Sequence, residues 1–454
     1  MTNLFGTSGI RGKTNTDITP ELALRTAQAI ATYTRAKKIL TAHDTRTTSP
    51  MLQQALTAGI TACGATTLSQ GIIPTPVLAY LTRQTAADAG IMITASHNPP
   101  EYNGIKPYNP DTTAYNQQQQ DKIEELIAKQ KFELATWQDI GGVITVDETD
   151  RYVEMITTNI KLRRPWKIIL DPGNGATSHL APRIFRGLGC KITTINSQPD
   201  GHFPGRGAEP NEETLNPLGS LVRRLKADVG IAYDGDGDRM ITTDEKGRVT
   251  PLDQTLATYA AHRIKQQKNR TVVTHVEASM CIDKMVEAEG GHVVRTKVGD
   301  VNITDAIKQH HSAFGGEPCG AWIHPHFHYC PDGILSSILL LQALEETRQN
   351  LSQFTAKAPR YPLLRQDASC PTSMKRGIME RLYEVLPEAF PEATEPSAVD
   401  GLRLTLRKSW LLIRPSGTEP RMRLTVEAET KKTAEATMTK AIKLVNRLVK
   451  EAKS

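Results

Sequence analysis

Ser96, within Thr94-Ala-Ser-His-Asn-Pro-Pro, and Asp234, Asp236 and Asp238, within Asp-Gly-Asp-Gly-Asp-Arg239, are the residues whose types and spacing suggest chemistry most directly. Each group follows a short apolar run, at residues 91–93 and 229–233, so each falls at the carboxyl end of an expected strand, where open α/β sheets bind ligands. Three carboxylates alternating with glycine can converge oxygen atoms on one hard cation, because glycine lets the backbone curl and adds no side chain in the way. Mg²⁺ suits such a site beside a phosphate. The acidic spacing also fits a calcium loop closed by Glu245, but Arg239 stands where that loop requires glycine, and the flank reads as strand. Ser96 beside His97 raises a hydrolase pair; against it, adjacent residues on an extended segment point in opposite directions, and no Gly-x-Ser-x-Gly elbow is present.

Three further polar loops accompany these two. Gly315-Gly-Glu-Pro-Cys-Gly320 offers Glu317 as an acceptor for sugar hydroxyls once a phosphate site lies nearby. Arg414-Pro-Ser-Gly-Thr-Glu-Pro-Arg-Met-Arg423 brings arginines, Ser416, Gly417 and Thr418 together, a set that offers charge-assisted donors and free backbone N–H groups to a phosphate dianion. At the start of the chain, Phe5-Gly-Thr-Ser-Gly-Ile-Arg-Gly12 places Thr7, Ser8 and Arg11 among glycines and again suggests anion contact. The cluster His324-Pro-His-Phe-His-Tyr-Cys330 has the alternation of a strand face that could hold zinc. Pro325 disturbs such a strand and no close cysteine pair accompanies it, so a pocket wall or a surface strand is the preferred reading.

The elements that must position these loops are those of an α/β protein. Apolar runs at residues 91–94, 167–171, 229–233 and 271–274 alternate with amphipathic stretches. Thr19-Pro20-Glu21 supplies an N-cap and a first-turn proline for a helix over 19–33, and residues 431–450 form a closing amphipathic helix. Seams near residue 150, near 248 and at 359–362 divide the chain into pieces 1–148, 149–248, 249–360 and 361–454. Length alone agrees, since 454 residues correspond to about three domains at roughly 150 each, or four if some are small.

Composition narrows the class. The hydrophobic fraction of 39% and charged fraction of 23% are those of a folded protein, and low complexity is confined to the glutamines at 117–120. A net charge of +6 with scattered Lys and Arg, and only 5% aromatic residues, argues for small anionic ligands and against nucleic acid. No apolar stretch reaches the ~20 residues of a bilayer span, the best being 334–344, and the first residues lack the basic and apolar regions of a secretory signal. A cytoplasmic location is expected, with the six cysteines reduced and no disulfides.

Together these segments resemble the α-D-phosphohexomutases, the family of phosphoglucomutase, phosphomannomutase and phosphoglucosamine mutase. The matching stretches are Phe5 to Gly12, Asp44-Thr-Arg46, Thr94 to Lys106, Asp200-Gly-His-Phe-Pro with Glu209-Pro-Asn211, Asp234 to Arg239, Gly316 to Gly320 and Arg414 to Arg423. They run in family order from residue 5 to 423. The resemblance implies three related α/β domains and a smaller α+β C-terminal domain around a central cleft. It implies Ser96 as the phosphoserine, with Arg11, Lys106 and His97 as catalytic companions. Asp234, Asp236 and Asp238, with the Ser96 phosphate, would hold one Mg²⁺. Thr7, Ser8, Arg46, Arg239, Glu317, Cys319, Arg414, Ser416, Gly417, Thr418 and Arg423 would bind substrate, with Arg46 and Arg239 adding positive charge beside the reacting hydroxyl. A sugar bisphosphate would act as activator, and the enzyme would be a monomer or homodimer acting on a hexose phosphate. The family's sugar loop usually carries serine in place of Cys319 and often histidine at Ala321, which leaves His324 or His326 to compensate. Trp322-Ile-His-Pro and Cys330-Pro-Asp-Gly are most similar to archaeal phosphoglucosamine mutases. Glucose, mannose or pentose phosphates, or a metal-dependent sugar phosphatase, are the alternatives.

Overall fold

The computed structural model describes residues 4–265, 267–394, 396–416 and 419–453. Its strands form four sheets, and three of them share one plan. In the first, the parallel strands Thr66–Ile72, Lys38–His43 and Ala89–Ile93 lie side by side, and Tyr102–Tyr108 runs antiparallel beside the last of them. The second repeats this with Lys191–Thr194, Lys167–Asp171, Val229–Tyr233 and antiparallel Met240–Thr243. The third repeats it with His292–Thr296, Thr271–His275, Phe314–Gly316 and antiparallel Trp322–Ile323. The first sheet is extended on one side by Gly9–Lys13 and Phe5–Gly6, and on the other by Val143–Thr145.

This repetition decides where the chemistry lies. In each sheet the connection from the third parallel strand to its antiparallel neighbour leaves from the carboxyl end. The three connections carry Ser96, the three aspartates, and Glu317 with Cys319. Strands that are apolar on both sides, such as Ala89–Ile93 and Val229–Tyr233, are buried throughout, as parallel strands covered by helices must be. One large apolar cluster runs through all three sheets, from Leu40 and Met92 through Ile231 to Phe314 and the helix Gly333–Thr347. The apolar run at 334–344 is the buried heart of that helix, and no helix among the described residues is long and apolar enough to cross a membrane.

The fourth sheet is wholly antiparallel, in the order Leu363–Ser369, Arg421–Ala428, Ser409–Pro415, Leu402–Leu406. It is covered by Lys375–Ala389 and Lys431–Glu451 and has its own apolar core. Among the described residues, a small cluster of Val276, Trp410 and Leu412, with Met280 against it, joins it by apolar packing to the third sheet's domain. The expected helices near 19–33 and 431–450 are Pro20–Thr34, capped by the Thr19 side chain, and Lys431–Glu451, capped by Thr430. The glutamine tract begins the helix Gln117–Lys129, where Asn116 and Gln119 form a reciprocal cap.

Within the second domain, Arg206 is buried and ties together the segments that lead into the aspartate loop. Its Nε donates to Asp171 at 3.0 Å, and Nη2 donates to the carbonyls of Asp171 and Tyr233. Removing one partner leaves a buried carboxylate without its counter-charge, a loss of about 3–5 kcal/mol. Arg206→Met should therefore speed amide exchange of residues 200–211 and 234–239 by roughly a hundredfold or more through local opening. Exchange rates within a few-fold of wild type would show that the pair does not hold this region.

Candidate active site

Ser96 lies in a left-handed turn, with φ of +53°, immediately after the strand Ala89–Ile93. The turn is fixed from beneath. Thr94 Oγ1 donates to Asp44 Oδ2 at 2.7 Å and accepts the Ser96 N–H at 2.8 Å. Arg46 spends all five guanidinium N–H groups on the same scaffold. Nε donates to Asp44, Nη1 to the carbonyls of Pro99 and Tyr102, and Nη2 to those of Ser96 and Asn98. Phe203, from the second domain, covers the guanidinium 5.1 Å away. Arg46 is buried and has no donor left for a substrate. The expectation that it binds substrate is thus corrected: it holds four carbonyls of the serine loop in one shape.

The left-handed turn also corrects the expectation about His97. Because Ser96 is not extended, the two side chains do not point apart, and His97 Nδ1 lies 3.2 Å from Ser96 Oγ. The serine hydroxyl donates its single proton to Asp234 Oδ2 at 2.7 Å, so the contact with His97 is one in which Nδ1–H donates. Burial, reinforced by the positive charges of Arg239 and Arg11, pushes the imidazole down to about 3, and it is neutral at physiological pH.

The three aspartates are buried, and one oxygen from each lies within 4.8 Å of the others. Asp234 Oδ1 accepts the N–H groups of Gly237 and Arg239, which closes the loop on itself. Asp236 Oδ2 accepts Thr75 Oγ1 at 2.6 Å and Lys106 Nζ at 2.9 Å, and Asp238 Oδ2 accepts the same Nζ at 3.0 Å. Gly235 makes this docking possible, since a Cβ there would meet the Ser96 carbonyl oxygen at 2.5 Å. Burial and the charges of Asp238 and Asp236 push the Asp234 carboxyl well above its ordinary range. Burial works against the Lys106 charge, but Asp236 and Asp238 outweigh it and hold the ammonium firmly protonated. Asp236 Oδ1 and Asp238 Oδ1 are buried without a hydrogen-bond partner. Orphaned carboxylate oxygens in an all-oxygen cluster fit a hard divalent cation such as Mg²⁺. The calcium alternative does not fit, because Glu245 is turned away to accept from Ser352.

Other expected residues gather around this centre from neighbouring elements. Arg11, on Gly9–Lys13, donates Nε to the Ser8 carbonyl, and its charge reaches His97 and Lys106. Ser8 Oγ donates to Asp300 at 2.9 Å, and the exposed Thr7 packs against Gly299. Glu317 accepts the Gly299 N–H at 3.0 Å; burial first, then the nearby Asp300 charge, push its carboxyl up to about 7. Cys319 Sγ lies 3.9 Å from Glu317 Oε2, and burial pushes the thiol up to about 12. Arg239 lies 3.9 Å from Asp238, between the aspartate loop and Cys319, and keeps its charge close to both.

The fourth loop is engaged elsewhere. Arg414 pairs with Glu277 of the third domain and with Asp400 at 3.0 Å, so its guanidinium is neutralised by two carboxylates. Arg423 is exposed and pairs with Glu419 at 3.2 Å, and Ser416 is buried with Oγ accepting the Glu419 N–H. Gly417 and Thr418 lie outside the described residues. The histidine cluster forms no metal site among the described residues, but Pro325, His326 and Tyr329 border a surface cavity beside Arg263 and Lys308. His324 is buried among Tyr259, Phe314 and Trp322 with Nε2 on Ser336, His328 is buried on Asp332, and His326 is exposed. His324 therefore packs the core, which corrects the expectation that it replaces a sugar-loop histidine, and the segment is a turn after the short strand Trp322–Ile323 rather than a strand face.

With this geometry in hand, comparison with known proteins is decisive. Four family models match in order: phosphoglucomutase/phosphomannomutase alpha/beta/alpha domain I at residues 2–134, domain II at 150–247, domain III at 251–361, and the C-terminal domain at 370–444. The chain belongs to the phosphoglucomutase/phosphomannomutase family. It is 43% identical over 433 residues to a probable phosphoglucosamine mutase of Methanothermobacter thermautotrophicus, covering 95% of each chain. It is 40% identical over 450 residues to the phosphoglucosamine mutase of Methanocaldococcus jannaschii, covering 98% of each. The solved structure of a family protein from Burkholderia thailandensis superposes with a TM-score of 0.87 at 25% identity, over 98% of this chain and 97% of the other. The enzyme is a phosphohexomutase.

Several members of this phosphohexomutase site were not singled out from sequence. Thr75 and Asp300 are the first residues of the helices Thr75–Gln84 and Asp300–His310, outside any motif, although Gly299-Asp300 after the strand His292–Thr296 is a carboxyl-end position like the others. Lys375, buried under the fourth loop, donates to the carbonyls of Ser416 and Glu419 and carried no local signal. Arg46→Lys removes the planar fork that grips four carbonyls, and a misplacement near 1 Å costs about a hundredfold in rate. The expected result is a kcat lowered by about that factor with KM changed little; a variant with wild-type kcat would show that Arg46 does not set the serine loop.

Proposed function

We propose that this phosphohexomutase interconverts the 1-phosphate and 6-phosphate of glucosamine through a phosphorylated Ser96 and a sugar bisphosphate. The observation that carries the reading is the Ser96 hydroxyl held 2.7 Å from Asp234 at the edge of a buried carboxylate cluster with unsatisfied oxygens. The archaeal relatives named as phosphoglucosamine mutases supply the sugar. The domains run 1–148, 149–248, 249–360 and 361–454.

Asp234, Asp236 and Asp238, with an oxygen on Ser96, would hold a Mg²⁺, which would offset the negative charge of the transferring phosphoryl group. The chain's own residues do the rest. Asp44, Thr94 and Arg46 fix the serine in its turn, so attack on the phosphoryl group is in line. The Ser96 Oγ–P bond breaks and a P–O bond to the sugar hydroxyl forms; the proton lost by that hydroxyl is returned to Ser96 Oγ. Lys106, permanently cationic, and neutral His97, donating Nδ1–H, steady the oxygen that leaves. Arg11 and Arg239 add positive charge across the equatorial oxygens, and Glu317 with Cys319 receives sugar hydroxyls.

Thr7 and Ser8 border the same cleft. Arg414, Ser416, Gly417, Thr418 and Arg423 hold the phosphate that is not reacting. A phosphate dianion must compete for Arg414 with Glu277 and Asp400, which suits a clamp that grips and releases as the bisphosphate turns over. The fourth domain's separate core supports its movement as a unit.

A coupled assay with Mg²⁺ and a trace of the matching bisphosphate, run on the 1- or 6-phosphates of glucosamine, glucose and mannose, tests the proposal. Glucosamine phosphate should dominate, and Ser96→Ala should lower turnover by more than a thousandfold. Release of inorganic phosphate without isomerisation, or full turnover by Ser96→Ala, would sink it; dominance of glucose or mannose would overturn the sugar alone. Glu317 adds a pH signature. Its carboxyl, raised to about 7, is protonated below that pH and becomes an acceptor above it. The kcat/KM should rise through about pH 7, and Glu317→Gln should flatten that limb while leaving the titration of the substrate phosphate in place.

A further inference from the structure

Asp300 opens the helix Asp300–His310 of the third domain. An acidic residue in that place ordinarily complements the helix dipole. Among the described residues, this carboxylate accepts nothing from its own helix; Oδ1 accepts the hydroxyl of Ser8, 292 positions away in the first domain, at 2.9 Å. Ser8 lies at the tip of the hairpin formed by Phe5–Gly6 and Gly9–Lys13, and its carbonyl accepts Arg11 Nε at 3.2 Å. One residue thus ties the Arg11 guanidinium to the third domain.

The backbone beside Asp300 makes a matching contact. Gly299 holds φ of +119°, which side chains rarely adopt, and its N–H donates to Glu317 Oε1 at 3.0 Å. A Cβ on Gly299 would lie 3.5 Å from the Thr7 Cβ, so the hairpin tip rests on this turn. Phe5 and Ile10 anchor the base of the hairpin in an apolar core, whereas Thr7 is exposed and Ser8 half-buried. The tip depends on a polar hold, and a hydrogen bond to a charged acceptor is the stronger kind.

We propose, on the roles assigned to Arg11 and Glu317, that Asp300 is a positioning residue: it latches the N-terminal hairpin to the third domain, so that Arg11 and Glu317 meet the same sugar in fixed register. The latch also carries charge. Burial raises the Glu317 carboxyl most, then the Asp300 charge, with Asp238 adding to both; the Gly299 N–H and the Arg239 guanidinium act in the opposite direction. Cys319 faces Glu317 as a neutral thiol. The bond to Ser8 and the charge beside Glu317 are separable by substitution.

Hydrogen exchange of the full chain and the pH profile of mutase turnover read the two apart. Ser8→Ala deletes the bond and keeps the charge: residues 5–12 should exchange roughly tenfold to a hundredfold faster and kcat should fall by about tenfold, with the kcat/KM inflection staying at about pH 7. Asp300→Asn keeps an acceptor for Ser8 and removes the charge: exchange should stay within a few-fold of wild type, and the inflection should move to lower pH, because Glu317 then ionises more readily. Asp300→Ala should show both effects. Wild-type exchange of residues 5–12 in Ser8→Ala overturns the latch, and faster exchange with wild-type kcat overturns its positioning role. An Asp300→Asn inflection that stays in place, or a Ser8→Ala inflection that moves as far, overturns the part played by the charge. Full turnover by Arg11→Ala, seen independently of exchange, would remove the role of Arg11 on which the positioning rests and overturn the proposal with it.

Discussion

Three carboxylates buried within 4.8 Å of one another set the terms for this molecule. Such a cluster is unstable without positive charge, and the chain places the Lys106 ammonium between Asp236 and Asp238, with the Arg239 guanidinium 3.9 Å from Asp238. The carboxylates belong to the second domain and the lysine to the first, as do Ser96 and Thr75, which also bond to the cluster. The electrostatic need of the site is therefore also what clamps two domains together. One lysine cannot satisfy six oxygens, and the two left without partners fit a divalent cation.

The repeated sheet plan explains why three loops from distant parts of the chain can meet. In each domain the functional connection leaves the same strand of the same four-strand order, so fusing the three cores side by side brings equivalent loops to one cleft. The first loop carries the Ser96 turn, the second the acidic cluster, and the third Glu317 and Cys319, on a common frame. The fourth domain is different in kind. Its loop is a hairpin on an antiparallel sheet with a separate core, joined to the third domain by Arg414 on Glu277, Arg403 on the Val276 carbonyl and Glu427 on the Met280 N–H. A few polar bonds at a small apolar seam can be exchanged in a turnover cycle, whereas the shared core of the first three domains cannot.

What could be read from the sequence follows the same division. The strands before Ser96 and Asp234, the closing helix and the α/β class were legible because apolar runs and capping residues are local signals. The aspartate cluster was legible because alternating Asp and Gly admits few other uses. Arg46 was misjudged because a sequence shows a charge but not whether its donors are already taken by backbone carbonyls. The relation of His97 to Ser96 was misjudged because one residue at φ of +53° reverses the geometry that an extended segment would impose. Buried histidines such as His324 and His328 resemble ligands in sequence and differ only in what surrounds them.

Burial sets the charge state of the site before any ligand arrives. Ser96, the aspartates, Lys106 and Glu317 are all withdrawn from solvent before any ligand arrives, so the desolvation of charge is met by folding and not by substrate binding. Neutral His97 and thiol Cys319 belong to the same logic, since burial keeps both uncharged and leaves the charge to groups with defined partners. A water molecule entering such a site finds the serine turn's carbonyls held by Arg46 and the carboxylates held by Lys106 and Thr75. In the proposed reaction a sugar hydroxyl arrives anchored at its far phosphate and at Glu317. Because the two nucleophiles differ little in intrinsic reactivity, that anchoring, and the closure it permits, is what can direct the phosphoryl group to the sugar.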